Sequence, residues 1–141
     1  MTRRTVLVLS LIALLAPVRS FAAEYQVVVH PSNPTDILTK EQLGKMFLKK
    51  ILKWDTGTPI VPVDQAPIAP VRAVFNRLVH AKPASAIASY WQQQIFAGRD
   101  VPPAEKAGDA AVLAFVKANP GAIGYVTAGV STDGVKLLSI R

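Results

Sequence analysis

Apolar positions along this chain switch between a period of two and a period near 3.6, and the switches outline its elements. Gln26-Val-Val-Val-His30 is short and β-branched, and Pro31-Ser32-Asn33-Pro34 ends it, which predicts a strand running into a turn. Thr39-Lys-Glu-Gln42 has the form of a capping box, and Leu43, Met46 and Phe47 follow at helical spacing, with Ile51 beyond them. A helix over about 40–49 is expected there. Trp54-Asp-Thr-Gly-Thr58 predicts a turn, and Ile60-Val-Pro-Val63 a second strand whose proline suits an edge or irregular position. Pro70 can open a helix whose apolar face is Val71, Val74, Phe75, Leu78 and Val79. Pro83 opens another over about 84–97, with Ile87, Tyr90, Trp91, Ile95 and Phe96 expected to be buried. Val101-Pro-Pro103 is expected to be an extended loop. Asp109 is expected to cap a helix through Ala118 facing inward with Val112, Leu113 and Val116, and Asn119-Pro-Gly121 stops it. Ala122–Val126 and Val135–Ile140 close the series as strands.

Strands and helices alternate early, helices cluster in the middle and strands return at the end. That order predicts an α/β domain in two or three layers, a mixed sheet flanked by helices. The first residues follow a different logic. Arg3 and Arg4 precede Val6–Ala16, an apolar run of 11 residues interrupted only by Ser10; Pro17 breaks it, and Ser20 and Ala22 are small residues at −3 and −1 of a cut. A bilayer span needs roughly 20 apolar residues, so the pattern predicts a cleaved secretory signal over 1–22, a domain over 23–141, and a periplasmic location.

Charge changes little in this picture. The chain has 16 basic and 9 acidic residues, and three of the basic ones, Arg3, Arg4 and Arg19, lie in the signal, which leaves the domain at +4. No stripe of basic residues interleaved with aromatics marks a nucleic-acid surface. Cysteine is absent, so the domain holds by packing alone, and thiolate zinc sites and cysteine nucleophiles are excluded. His30 and His80 stand far apart, and neither a nucleophile elbow nor a phosphate loop is present. We expect neither enzyme nor cofactor nor metal site.

The candidates for binding sit just beyond strand ends, where open α/β sheets hold ligands. Asp64 and Gln65 follow Val63, Ser32 and Asn33 follow His30, and Arg72 lies at the mouth of the helix opened by Pro70. Arg72 reads as an anion contact or as a solvated arginine in a first turn; the other four read as ligand contacts or as turn residues. Lys45, Lys49, Lys50 and Lys53 recur near one helix end and fit either dipole compensation or a docking face. Trp54 is either exposed for a partner or folded back over the core.

Val27-Val-Val-His30-Pro-x-Asn-Pro34, Leu38-Thr-x-Glu-Gln-Leu43-x-x-Met-Phe47, Trp54, Tyr90-Trp91 and above all Val116-x-x-Asn-Pro120-Gly-Ala-Ile-Gly-Tyr-Val126 resemble the phosphate-binding periplasmic proteins of ABC importers. The likeness runs from about 26 to 127. It implies a single periplasmic-binding-protein-like lobe, the one inserted in the middle of the longer two-lobed members. In that family a Ser-Gly-Thr-Arg stretch at a helix start holds phosphate oxygens; here the equivalent is Ala69-Pro-Val-Arg72, and only the arginine matches. Asp64 stands where the family often has a basic residue. The resemblance therefore implies a solute-binding-like protein that holds a small anion or polar solute weakly, in transport or sensing, through Arg72, Asp64, Gln65, Ser32 and Asn33. Its expected partners are a membrane permease or sensor, with a homodimer as a way to rebuild a cleft. The alternative is an interaction module that docks on a membrane sensor, porin or secretion component.

Overall fold

Three consecutive valines, Val27–Val29, are buried at the end of β1 (Tyr25–Val29), because this strand is covered on both faces. The computed structural model describes residues 24–141, so the signal segment 1–22 lies outside the described residues. After β1 come β2 (Ile37–Leu38), α1 (Lys40–Phe47), β3 (Val61–Gln65) and α2 (Pro70–Phe75), which runs into a π turn over Asn76–His80. Then follow α3 (Ala84–Phe96), β4 (Ala104–Lys106), α4 (Asp109–Ala118), β5 (Ala122–Thr127) and β6 (Lys136–Ile140). The sheet order is β2-β6-β1-β5-β3-β4. β1 runs antiparallel to β5 and β6, while β3 is parallel to both β5 and β4, so the sheet is mixed as expected.

Strand alternation sends side chains to two separate cores. Val27, Val29, Ile123 and Tyr125 point to the side of α1 and α2, where they meet Leu43, Phe47 and Phe75. Val28, Val63, Ala122 and Val126 point to α4 and meet Val112, Leu113 and Val116. The domain thus has three layers. Gly124 lies on this second side because the space is taken: a Cβ there would come within 2.8 Å of Val112 and Val63. The capping box forms, with Thr39 Oγ1 accepting from Gln42 N at 3.1 Å and Gln42 Oε1 accepting from Thr39 N at 2.9 Å. Trp54 folds back and is buried, its Nε1 donating to the Gly121 carbonyl at 3.0 Å. Gly121 itself passes so close to Pro59 that a Cβ would sit 2.2 Å from its carbonyl oxygen.

Several local expectations are corrected. The apolar face of α3 is Ile87 and Trp91 alone; Ile95 is exposed, and Phe96 is 95% exposed. At 100° per residue Phe96 lies about 140° around the helix from Trp91, so it cannot share that face. The helix opened by Pro70 does not continue regularly but widens into the π turn, and Ala81 ends it at φ 52°. Gly108, rather than Asp109, is the N-cap of α4. β2, two residues long, and β4, three residues of which two are charged, are too short to show in the hydrophobic pattern. β4 pairs only with Val63–Gln65, which leaves β3 unpaired on that side at Pro62, where an N–H is missing. No helix among the described residues is long and apolar enough to cross a membrane.

Candidate functional site

β3 ends on two polar residues that the fold buries, Asp64 and Gln65. Their neighbours explain how. Tyr125, fully buried on β5, stacks its ring on Phe75 at 3.9 Å and donates its hydroxyl to Asp64 Oδ1. The same oxygen accepts from Gln65 N at 3.0 Å. The Gln65 amide donates to Asp109 Oδ1 at 2.9 Å and to the Tyr125 carbonyl at 3.0 Å. Asp109, instead of capping α4, also accepts from Thr127 N at 3.0 Å and so ties α4 to the end of β5.

Arg72 closes this network from α2. Its Nη1 donates to the Gln65 carbonyl at 2.7 Å and to Glu105 Oε1 at 2.9 Å, and its Nη2 lies 3.5 Å from Asp64 Oδ2. Burial pushes the Asp64 carboxyl above its ordinary pKa, against the pull of the Tyr125 hydroxyl and Arg72. For Arg72 burial works against the charge, but Asp64 and Glu105 outweigh it and hold the guanidinium above its usual value. Burial, then the Asp64 charge, raises Tyr125 as well, so it stays a neutral donor. The arginine is thus neither solvated nor free: one guanidinium faces two carboxylates.

Beside this network lies a groove of about 280 Å³. Pro67, Ile87, Ala88, Trp91 and Pro102 give it apolar walls, and Arg72, Asn76 and Glu105 are its polar members. Asp64, Gln65 and Arg72 are therefore brought together at the C-terminal end of β3. Ser32 and Asn33 are not. β1 runs against β5 and β3 runs with it, so the chain leaves β1 at the edge where β3 enters, across the sheet from Gln65. There Ser32 Oγ bonds His30 Nδ1 at 2.7 Å, and Asn33 Oδ1 accepts from Thr35 N at 2.9 Å, a turn held by its own side chains.

The lysines do not form one free face. Lys45 pairs with Glu41 at 2.8 Å, Lys49 with Asp100 at 3.4 Å, and Lys50 lies over the Tyr90 ring. Among the described residues no group of three or more His, Cys, Asp or Glu side chains could hold a metal ion. Tyr125, Glu105, Asp109 and Asn76 were not singled out as site residues. Only Tyr125 carried a signal, a hydroxyl in mid-strand on a buried face that needs a partner.

This arrangement, a mixed sheet between helix layers with polar groups at the C-terminal end of an inner strand, has the periplasmic-binding-protein-like fold. The chain is similar to an ABC-type phosphate transport receptor from Vibrio cholerae (20% identity, TM-score 0.65, 85% of this chain and 48% of that one). It is also similar to PstS from Borrelia burgdorferi (16% identity, TM-score 0.67, 84% and 47%). A third similar structure is a candidate phosphate ABC transporter substrate-binding protein from Clostridium perfringens, solved with bound phosphate (23% identity, TM-score 0.67, 84% and 46%). The chain spans just under half the length of each. No protein-family model matches the sequence, and no curated protein does.

Proposed function

We propose that this chain belongs with the binding proteins of phosphate importers and works outside the cytoplasm as a solute-binding lobe, holding a small anion or polar solute weakly at the Arg72 groove. The observation that carries this reading is the convergence of Arg72, Asp64 and Gln65 at the end of β3, beside an open groove, within that fold. Weakness follows from the same geometry. An incoming anion meets Asp64 and Glu105 as well as Arg72, so Coulomb repulsion offsets much of the attraction. We assign the chain no catalysis and no cofactor, and a permease or sensor in the membrane as its partner.

A thermal-shift screen against phosphate, sulfate and small organic acids tests this. A ligand at about 100 times its Kd adds roughly 2.7 kcal/mol of stability. A shift with one of them that is lost in Arg72→Ala, and partly kept in Arg72→Lys, is the expected result. Each variant is compared with its own ligand-free state, because removing Arg72 also strands Asp64.

A second reading, a docking module for a membrane sensor, porin or secretion component, draws on exposed apolar side chains. Ile68 is 90% exposed and Phe96 95%, and Val101 is exposed next to Pro102. No shift with any solute, together with a mass that rises with protein concentration or on adding membrane extract, would favour docking or a homodimer.

A further inference from the structure

We propose that the groove between α3 and the end of β3 is a site for a small zwitterion bearing an apolar group, as an apolar α-amino acid does, with Arg72 taking the carboxylate and Glu105 the ammonium. The inference rests on the reading that Arg72 faces the ligand, and it names the ligand class.

Unspent hydrogen-bonding capacity points to it. Arg72 spends only Nη1 on hydrogen bonds; among the described residues Nη2 and Nε make none, and the nearest carboxylate oxygen to Nη2 is at 3.5 Å. A guanidinium has donors enough to keep Glu105 and take a second carboxylate on its other edge. Glu105 accepts one bond, at Oε1, and its side chain is 43% exposed, so Oε2 is open to a cation. Asn76 adds a third group. It is only 4% exposed, lines the groove, and its side chain makes no hydrogen bond among the described residues. Its amide atoms are not sealed off from solvent, so a ligand entering the groove can reach them.

Charge then selects among ligands. A simple anion brings a negative charge to one guanidinium and two carboxylates. A zwitterion adds no net charge and meets each sign with its opposite. The rest of the groove, Ile87, Ala88, Trp91 and two prolines, offers apolar contact and no charge. Its volume, about 280 Å³, falls just under the usual range for drug-sized ligands, about 300–1,000 Å³, so the occupant is small.

Calorimetric titration of the purified protein with L-leucine, 4-methylpentanoate, leucinamide and inorganic phosphate tests this. The first three share one carbon frame and differ in charge. Leucine is expected to bind, and each analogue lacking one charge to bind about tenfold or more weaker. Glu105→Gln is expected to erase the advantage of leucine over 4-methylpentanoate while leaving phosphate no weaker. Equal binding of leucine and 4-methylpentanoate would overturn the assignment of Glu105, and the wild-type analogue series reads this even if the variant folds poorly. Binding of phosphate without leucine would overturn the zwitterion site and leave the proposed function standing. Binding of none of the four would overturn the zwitterion site and leave the proposed function to the sulfate and organic-acid arms of the thermal-shift screen.

Discussion

Replacing Tyr125 with phenylalanine removes one oxygen from the middle of the network and leaves the ring stack intact. The ring lies 3.9 Å from Phe75 at an interplanar angle of 5° and 5.7 Å from Phe47, contacts that phenylalanine reproduces. What disappears is the hydroxyl donor to Asp64, a buried carboxylate whose pKa is already raised by burial. A hydrogen bond to a charged group contributes about 1.5–3 kcal/mol, so we expect a loss near 2 kcal/mol. For a domain of this size that lowers Tm by roughly 8 °C. Tyr90→Phe is the control. Its hydroxyl donates to a neutral carbonyl, Leu48 O, at 2.8 Å in a partly buried position, and its loss is expected to cost about 1 kcal/mol or less. Acidity supplies a second check. Asp64 has a raised folded pKa, so its protonated form suits the fold: its contribution is favourable in acid and lost as pH rises through that pKa. Removing the tyrosine donor raises the pKa further, so the gap between variant and wild type is widest near neutrality and narrows on acidification. Urea denaturation of both proteins across pH reads it. A Tyr125→Phe loss no larger than that of Tyr90→Phe, or one independent of pH, would refute the reasoning.

Three other outcomes follow from contacts elsewhere. Burial, then Lys82, holds His80 at about 4 against an ordinary 6.5, so the stability it confers is full above 6.5 and drains away as pH falls toward 4; discounted for partial exposure this is on the order of 2 kcal/mol, and His80→Gln should flatten that part of the denaturation profile. Gly121→Ala should be worse than Gly124→Ala in thermal melts, because its Cβ meets the Pro59 backbone carbonyl at 2.2 Å while that of Gly124 meets two valine methyls at 2.8 Å; overpacking of the second kind costs about 1–3 kcal/mol. Trp54→Phe strips the Gly121 carbonyl of its indole donor and should cost about 1–2 kcal/mol in chemical denaturation.

Where burial and period carried the signal, the sequence was readable. Thr39 and Gln42 marked the start of α1 through their own hydrogen bonds, and Val27–Val29 marked a strand covered on both sides. The site was half legible. A position after a strand end pointed to Asp64 and Gln65, and a helix mouth to Arg72, but the strand-end rule pointed equally to Ser32 and Asn33. Only the antiparallel pairing of β1 with β5 puts those two on the other edge. Glu105 sits on a three-residue strand, Ala104–Lys106, that exists because Val63–Gln65 offers it a partner, and no local pattern can announce such a strand. Asp109 looked like a cap because Asp is a good one; the side-chain amide of Gln65 and the backbone amide of Thr127 made the stronger claim on its carboxylate. Phe96 failed as a core residue because helical phase, not hydrophobicity, decides which side is covered.

The central claim is that recognition takes place at the C-terminal end of β3. Amide chemical shifts, followed while phosphate and then leucine are titrated into labelled protein, test it most directly. A ligand bound there is expected to move the signals of Gln65, Arg72, Asn76 and Glu105 and to leave those of Ser32, Asn33 and Thr56 in place. Movement confined to the Ser32–Asn33 edge, or no movement with either ligand, would contradict it.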